Sequence, residues 1–315
     1  NIAIGQMMAF MQYAMQIIMS FLMIAMIAIM LPRASVAAER IYEVLSMEPR
    51  IVDPKEAKPF NNDKRGLVEF KDVTFKYPGA HEAVLENISF TAKPGQTTAL
   101  IGSTGSGKST LINLIPRFYE VSEGSIMIDG VDIRDVKQHD LRDKIGLVPQ
   151  KGLLFSGTIR SNLTYGAPDA TDEQLEEVIK VAQAKEFIDH KEEHLDSKIS
   201  QGGTNVSGGQ KQRLAIARAI AKNPEIFIFD DSFSALDFKT DAMLRQELNK
   251  MIKKTKNTVL IVGQRIASIM SADQIIVLDE GRIVGKGKHD ELMKDCKVYQ
   301  EIAYSQLSKE ELGHE

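Results

Sequence analysis

The chain has 315 residues, of which 43% are hydrophobic and 26% are charged, so we expect a packed globular core and exclude general disorder. A net charge of −4 without a basic stripe argues against a nucleic-acid binder. The single cysteine, Cys296, excludes an internal disulfide framework and is typical of a cytosolic thiol.

The N-terminal stretch predicts a transmembrane helix. No charged residue occurs from Asn1 to Pro32, and Met7 to Leu31 is long enough, at about 1.5 Å per residue, to cross a hydrocarbon core of about 30 Å. A buried core helix is the alternative, but it is rarely uncharged over such a length. A start at Asn1 rather than Met indicates a fragment whose true N-terminus lies upstream. The basic residues after the span place its C-terminal end in the cytoplasm: Arg33, Arg40, Arg50, Lys55, Lys58, Lys64 and Arg65.

Methionines mark one face of this predicted helix. At 100° per residue they cover an arc of about 120°, which also contains Gln12. Flexible thioethers suit varied apolar ligands, so the face could line a cavity for an amphipathic drug, lipid or peptide. Helix packing or contact with the lipid bilayer is the simpler alternative. The methionines are Met11, Met15, Met19, Met23, Met26 and Met30.

Beyond Pro32 a helical period continues to Leu45, and Pro49, Pro54 and Pro59 then end it. From about Gly66 the pattern changes to short β-type runs separated by helical ones, which predicts an α/β domain with a mainly parallel sheet. The last run, "QIIVLDEGRIVGKG", is read as one β segment. The clearest helical patterns are Thr171–Ala184, Gly209–Ala221 and Lys239–Lys254.

The segment "GSTGSGKST", Gly102 to Thr110, fits the phosphate-binding P-loop pattern. It follows an apolar strand, Thr97–Ile101, and opens a helix at Lys108, which is the context that distinguishes a P-loop from an ordinary glycine-rich turn. Backbone N–H groups would close around phosphates. Lys108 would reach the β- and γ-phosphates, and Ser109 would ligate Mg²⁺.

Two further segments support a nucleotide site. "IFIFDD" predicts a buried strand from whose C-terminal end Asp230 emerges, as expected of a carboxylate that binds Mg²⁺. "VSGGQKQRLAIARAI" places Ser207 and two glycines before a long helix. By itself the second segment is equally well explained by a helix N-cap with a glycine turn.

Together these motifs resemble those of ATP-binding-cassette (ABC) proteins, over about Leu67 to Tyr304. "SGGQ" is similar to the family signature, Gln150 to the Q-loop glutamine, Tyr77 to the aromatic residue that stacks on adenine, and Asp237 to the D-loop aspartate. "LFSGTIRSNL" and the fused membrane helix resemble type I exporters. The resemblance implies a P-loop NTPase (RecA-like) core with a mainly parallel sheet, an antiparallel β subdomain and a helical signature subdomain, preceded by one transmembrane helix.

The resemblance also implies a dimer, in which ATP is held between the P-loop of one subunit and the signature of the other. Full ATP hydrolase and translocase activity is then expected only in the dimer, with Mg²⁺ held by Ser109, Gln150 and Asp230. The predicted regions are 1–32 (last transmembrane helix), 33–66 (cytosolic helix extension and linker), 67–306 (nucleotide-binding domain) and 307–315 (polar tail). The residues implied to bind ATP are Tyr77, Gly102, Ser103, Thr104, Gly105, Ser106, Gly107, Lys108, Ser109, Thr110, Ser207, Gly208, Gly209, Gln210 and Asp237.

Two implied catalytic positions depart from the family. Asp231 stands where most members carry the glutamate that polarises water, and Gln264 stands where a switch histidine is usual; Gln150 completes the implied catalytic set. A side chain shorter by one methylene falls back by about 1.5 Å, and an error of about 1 Å can cost about a hundredfold in rate. Gln264 can donate a hydrogen bond but cannot carry a positive charge. Neutral drift at both positions is the alternative.

This combination resembles the degenerate-site subunit of a heterodimeric multidrug exporter, whose partner half would supply the missing glutamate and histidine. A homodimeric exporter with slow hydrolysis by Asp231 remains open, as does a regulatory ATP-binding subunit without turnover. A soluble ABC ATPase acting on DNA or ribosomes is disfavoured by the uncharged span and by the lack of a long coiled-coil insertion.

Overall fold

The computed structural model describes residues 4–306, apart from the side chain of Asn62, and the predicted polar tail 307–315 lies outside the described residues. The chain divides into two compact units, one ending at Arg50 and one beginning at Ile51. The helices are α1 (Ile4–Leu45), α2 (Lys108–Leu114), α3 (Gln138–Asp143), α4 (Ile159–Leu163), α5 (Asp172–Val181), α6 (Lys185–Asp189), α7 (Gly208–Ala221), α8 (Phe238–Thr255), α9 (His289–Asp295) and α10 (Lys297–Gln306).

Twelve strands are found among the described residues, together with short 3₁₀ turns such as Ile266–Ser268. The strands are β1 (Val68–Phe75), β2 (Leu85–Ala92), β3 (Thr97–Gly102), β4 (Glu123–Ile128), β5 (Val131–Asp132), β6 (Ile145–Val148), β7 (Gly157–Thr158), β8 (Lys198–Ile199), β9 (Ile226–Asp230), β10 (Thr258–Val262), β11 (Gln274–Asp279) and β12 (Arg282–Gly287).

The first unit is the single long helix α1, which continues through Pro32 without a break. By length and composition it could cross a membrane, with a mean hydropathy of 2.4 over its most apolar stretch. The predicted methionine face is exposed along its whole length. The helix ends at Leu45, four residues before the first of the three prolines that were predicted to end it.

The main sheet of the second unit has the strand order β12-β11-β3-β10-β9-β6. Its strands run parallel except for β12, which is antiparallel to β11. The central strands are almost wholly apolar and buried, as in β9, because helices or a second sheet cover both faces. Because β3, β9 and β10 are parallel, their C-terminal ends lie at the same edge, where the P-loop follows β3, Asp230 ends β9 and Gln264 follows β10.

The second sheet is antiparallel, with the order β2-β1-β4-β5. It shares one buried apolar cluster with α2 and one face of the main sheet, so α2 is enclosed between the two sheets. A second cluster joins the opposite face of β9 and β10 to α4, α5, α7 and α8, and a third packs α9 and α10 against β3 and β11. The predicted parallel core, antiparallel subdomain and helical subdomain are therefore confirmed.

The structure differs from the sequence prediction at two places. The run "QIIVLDEGRIVGKG" is a hairpin of β11 and β12, because Glu280 and Gly281 both adopt positive φ, 43° and 76°, as a two-residue hairpin turn requires. The segment from Ile51, predicted as linker, lies on the second unit. There Asp53 accepts a hydrogen bond from the Gln138 backbone (2.9 Å), and Lys58 pairs with Asp135 (2.7 Å).

Candidate nucleotide-binding site

The P-loop joins β3 to α2, as the sequence predicted. A Cβ atom on Gly102 would lie 2.0 Å from the carbonyl oxygen of Leu278, and one on Gly107, where φ is +95°, would lie 2.6 Å from the Leu85 side chain. A side chain at position 102 would therefore clash with the backbone of β11, and position 107 has a left-handed conformation that glycine adopts without strain. The glycines allow the loop to fold tightly at the edge of the sheet and leave its backbone open to a ligand.

The Lys108 side chain folds back into the P-loop and bonds three of its residues. Its ammonium donates hydrogen bonds to the carbonyl oxygens of Gly102 (2.9 Å) and Ser103 (2.7 Å) and to the hydroxyl of Ser106 (3.3 Å). Burial lowers the pKa of Lys108, while Asp231 and Asp230 act in the opposite direction. A cation held within the loop by carbonyl oxygens can move to a phosphate, which offers it a stronger, charged acceptor.

Asp230 ends β9 beside the start of α2. The Ser109 hydroxyl donates a hydrogen bond to Asp230 Oδ1 over 3.1 Å, so the two predicted oxygen ligands are neighbours. Burial raises the pKa of Asp230, and the charge of Asp231 adds to this, while the Ser109 hydrogen bond lowers it. Mg²⁺ prefers oxygen ligands such as a hydroxyl and a carboxylate, and its charge would stabilise the ionised form of the buried Asp230. Ser109 and Asp230 therefore fit this cation.

Asp231 receives two side-chain amides. Gln150 Nε2 donates to Asp231 Oδ2 over 3.2 Å, and Gln264 Nε2 donates to the same oxygen over 2.9 Å. The residue is 8% exposed and has a positive φ of 45°, which is uncommon for a residue other than glycine. Burial raises the pKa of Asp231, and the hydrogen bond from Gln150 opposes that shift. The three predicted catalytic residues therefore converge on one carboxylate oxygen.

Tyr77 lies beside the P-loop helix. Its hydroxyl is 3.0 Å from the Thr110 hydroxyl, and its ring contacts Phe75 and Tyr119 edge-on, with centroids 4.8 and 5.1 Å away. Two perpendicular neighbours and a hydrogen bond fix the orientation of the ring. The structure thus places the predicted base-stacking residue in contact with a residue of the phosphate site.

Most of the predicted P-loop and catalytic residues line one cleft, whereas Tyr77, Gly102, Ser103 and Ser106 are not among its lining residues. Two residues that line the cleft, Val84 and Val262, were not predicted because they are apolar and belong to none of the motifs. Val262 lies there because it pairs with Asp230 in the sheet. The cleft is lined by Val84, Thr104, Gly105, Gly107, Lys108, Ser109, Thr110, Gln150, Asp230, Asp231, Val262 and Gln264.

The predicted signature and D-loop residues lie elsewhere. Ser207 caps α7 and forms a reciprocal hydrogen-bonded pair with Gln210, while Gly208 and Gly209 begin the helix; Asp237 caps α8 by accepting a hydrogen bond from the Thr240 backbone (3.0 Å). Among the residues lining the cleft within 4–306, none comes from these two segments. They are exposed or half-exposed helix starts, available to another molecule.

Residues 85–234 match the family model described as ABC transporter. The chain carries an ABC transporter ATP-binding domain. It is 47% identical over 313 residues to an uncharacterized ABC transporter ATP-binding protein of Mycobacterium tuberculosis, covering 98% of this chain and 53% of the relative. It is 39% identical over 272 residues to YgaD of Bacillus subtilis, provisionally named a multidrug export ATP-binding/permease protein, covering 86% of this chain and 46% of YgaD.

A solved structure of a bacterial Atm1-family ABC exporter with ATP bound superposes with a TM-score of 0.85 at 31% identity, over 95% of this chain and 52% of that chain. The domain is therefore homologous to ABC exporter halves, and its predicted fold is confirmed. The chain spans about half the length of the curated relatives it matches.

Proposed function

We propose that this chain is the ATP-binding half of an exporter in the cell membrane, with its ATP-binding domain in the cytoplasm, and that its own P-loop site binds Mg·ATP but hydrolyses it slowly. A second, different exporter half would pair with it to form a heterodimer. That partner would complete two nucleotide sites and supply the glutamate for the one that contains Ser207 to Gln210. The exported substrate would be a small amphipathic drug, a lipid or a peptide. The ABC transporter domain, the named relatives and the apolar helix α1 support this assignment.

The observation that carries the slow-hydrolysis proposal is the convergence of Gln150 and Gln264 on Asp231 Oδ2. A general base must come within about 2.6–3.2 Å of the water it activates. The Asp231 carboxylate is about one methylene short of the usual glutamate and is held back by two amide donors. The proximity of Lys108, Ser109 and Asp230 at the P-loop, in contrast, supports nucleotide binding.

The residues would act in distinct roles. The P-loop backbone and Lys108 bind and orient the phosphates, and Tyr77 positions the adenine. Ser109, Asp230 and the amide oxygen of Gln150 would hold Mg²⁺, which supplies charge neutralisation of the phosphates when bound. Gln264 donates a hydrogen bond to the γ-phosphate, but its amide cannot become a cation. It therefore supplies no positive charge to stabilise the γ-phosphate during hydrolysis. ATP binding is therefore favoured over turnover.

A homodimeric exporter with real but slow hydrolysis is the second candidate. The raised pKa of Asp231 favours it, because a carboxylate that holds protons more tightly is a stronger base. A regulatory ATP-binding subunit without turnover would be the limiting case of the first proposal. The long apolar helix α1 disfavours a soluble ABC ATPase.

The test is ATP hydrolysis by the purified chain alone and with an exporter half that carries the usual glutamate. We expect low activity alone and high activity in the pair. In the pair, Asp231→Asn changes turnover little, whereas replacing the partner's glutamate abolishes it. Lys108→Ala is the binding control and should lose ATP affinity at this site. A large loss of turnover from Asp231→Asn would contradict the slow-hydrolysis proposal.

A further inference from the structure

The loop that carries Gln264 is held by the C-terminal helix. Gln306, at the end of α10, donates a hydrogen bond from Nε2 to the carbonyl oxygen of Gln264 (2.7 Å) and accepts one at Oε1 from the N–H of Ile266 (2.9 Å). One side-chain amide thus bonds the backbone on both sides of Arg265. Such a two-point contact fixes both the position and the rotation of this short loop.

α10 itself is firmly anchored. Tyr299 and Ala303 are fully buried in the same apolar cluster as Ile266 and Ile269, so the helix and the loop share one core. The far end of the loop is also held, because Arg245 of α8 donates to the carbonyl oxygen of Ser268 (2.6 Å). Gln306 therefore belongs to a helix that is packed in the core, and it bonds the end of the loop that carries Gln264, the residue bonded to Asp231.

We propose that Gln306 is a positioning residue for the γ-phosphate contact: it holds the backbone of Gln264 so that the Gln264 side chain reaches the cleft. The route is continuous, since Gln306 bonds the Gln264 carbonyl while the Gln264 side chain bonds Asp231 Oδ2 (2.9 Å). This inference rests on the proposed function for the role of Gln264. It assigns a nucleotide-sensing role to a helix that contributes no residue to the lining of the cleft among residues 4–306.

The test compares variants of the full chain for binding of Mg·AMP-PNP, which carries a γ-phosphate, and of Mg·ADP, which does not. Gln264→Ala removes a hydrogen bond to a charged group and should weaken AMP-PNP binding by about tenfold or more with little effect on ADP. Gln306→Ala should weaken AMP-PNP binding by roughly three- to tenfold, again sparing ADP. Because both act through one contact, the double variant should be no weaker than Gln264→Ala.

Gln300 provides the matched control. It lies on the same helix, but its side-chain amide donates hydrogen bonds to the carbonyl oxygens of Met293 (2.8 Å) and Lys294 (3.2 Å) rather than to the Gln264 loop. Gln300→Ala should leave the AMP-PNP to ADP preference unchanged. Hydrogen exchange gives a readout independent of nucleotide: the Ile266 amide should exchange faster in Gln306→Ala and not in Gln300→Ala.

Equal losses of AMP-PNP and ADP binding in Gln306→Ala, additive losses in the double variant, or unchanged exchange at Ile266 would each overturn the positioning role. If Gln264→Ala left nucleotide preference unchanged, the proposed γ-phosphate contact of Gln264 would fail instead. The exchange measurement would still decide whether Gln306 holds the loop.

Discussion

Lengthening the carboxylate at position 231 should restore hydrolysis. Glutamate would extend the side chain of residue 231 by about 1.5 Å, the length of one carbon–carbon bond. Misplacement of a reacting group by about 1 Å can cost about a hundredfold, so Asp231→Glu should raise turnover at this site by about ten- to a hundredfold. Gln150 and Gln264, which hold Asp231 Oδ2 in place, are exposed residues, so a longer carboxylate can displace their side chains toward solvent.

The gain should be larger with Gln264→His in the same chain, because an imidazole can carry the positive charge and proton that an amide cannot. We expect the double variant to exceed Asp231→Glu by about tenfold, within the usual contribution of acid–base groups. Turnover is measured as phosphate release from the pair in which the partner's glutamate has been replaced, so that only this site contributes.

Asp230→Glu is the control, since it adds the same methylene to the adjacent carboxylate. It should reduce Mg·ATP binding and turnover, because it displaces the oxygen that accepts the Ser109 hydrogen bond (3.1 Å). If Asp231→Glu and the double variant both bound ATP normally yet stayed at background turnover, the reach of this carboxylate would not be what limits hydrolysis.

Two further predictions concern the charge of Asp231 and the ring of Tyr77. Burial raises the pKa of Asp231, so its ionised form destabilises the folded chain, and stability is lost as pH rises from the ordinary carboxyl value of 3.8 through the raised pKa. Asp231→Asn removes this cost. It should therefore raise the Tm of the nucleotide-free chain by a few degrees at about pH 8 and by less at about pH 5. A gain in Tm that did not depend on pH would indicate only that asparagine tolerates the positive φ better. Tyr77→Ala should weaken Mg·ATP binding by about tenfold in a titration. Tyr77→Phe keeps the stacking ring and loses only the Thr110 hydrogen bond, so it should weaken binding less. Equal losses of affinity in the two variants would argue against stacking.

The position of the P-loop between a strand and a helix was predictable because its geometry is local. Gly102, Gly107 and Lys108 lie within seven residues, and the strand before them and the helix after them are both visible as apolar patterns. Asp230 was predictable for a related reason: it ends an apolar strand, and carboxyl ends of parallel strands meet at one edge. The β11–β12 hairpin was missed because its turn, Glu280–Gly281, interrupts a continuous β-type composition by only two residues.

The contacts that organise the catalytic end of the site were not predictable from sequence patterns. Gln150 and Asp231 are 81 residues apart, and Gln306 and Gln264 are 42 apart. Glutamine in these positions has no special periodicity or spacing, and which oxygen accepts which amide depends on packed side-chain geometry. The sequence identified Gln264 as a departure from the family, but only the structure shows that its carbonyl and side chain bond two different elements.

The two departures form one structural unit. Asp231 and Gln264 follow β9 and β10, which are adjacent in the sheet with Asp230 opposite Val262, and their side chains share a hydrogen bond of 2.9 Å. A short carboxylate leaves room for an amide to approach, and an amide without charge suits a carboxylate that must remain partly desolvated. Because the two side chains are bonded to each other, changing either residue alone would alter the surroundings of the other.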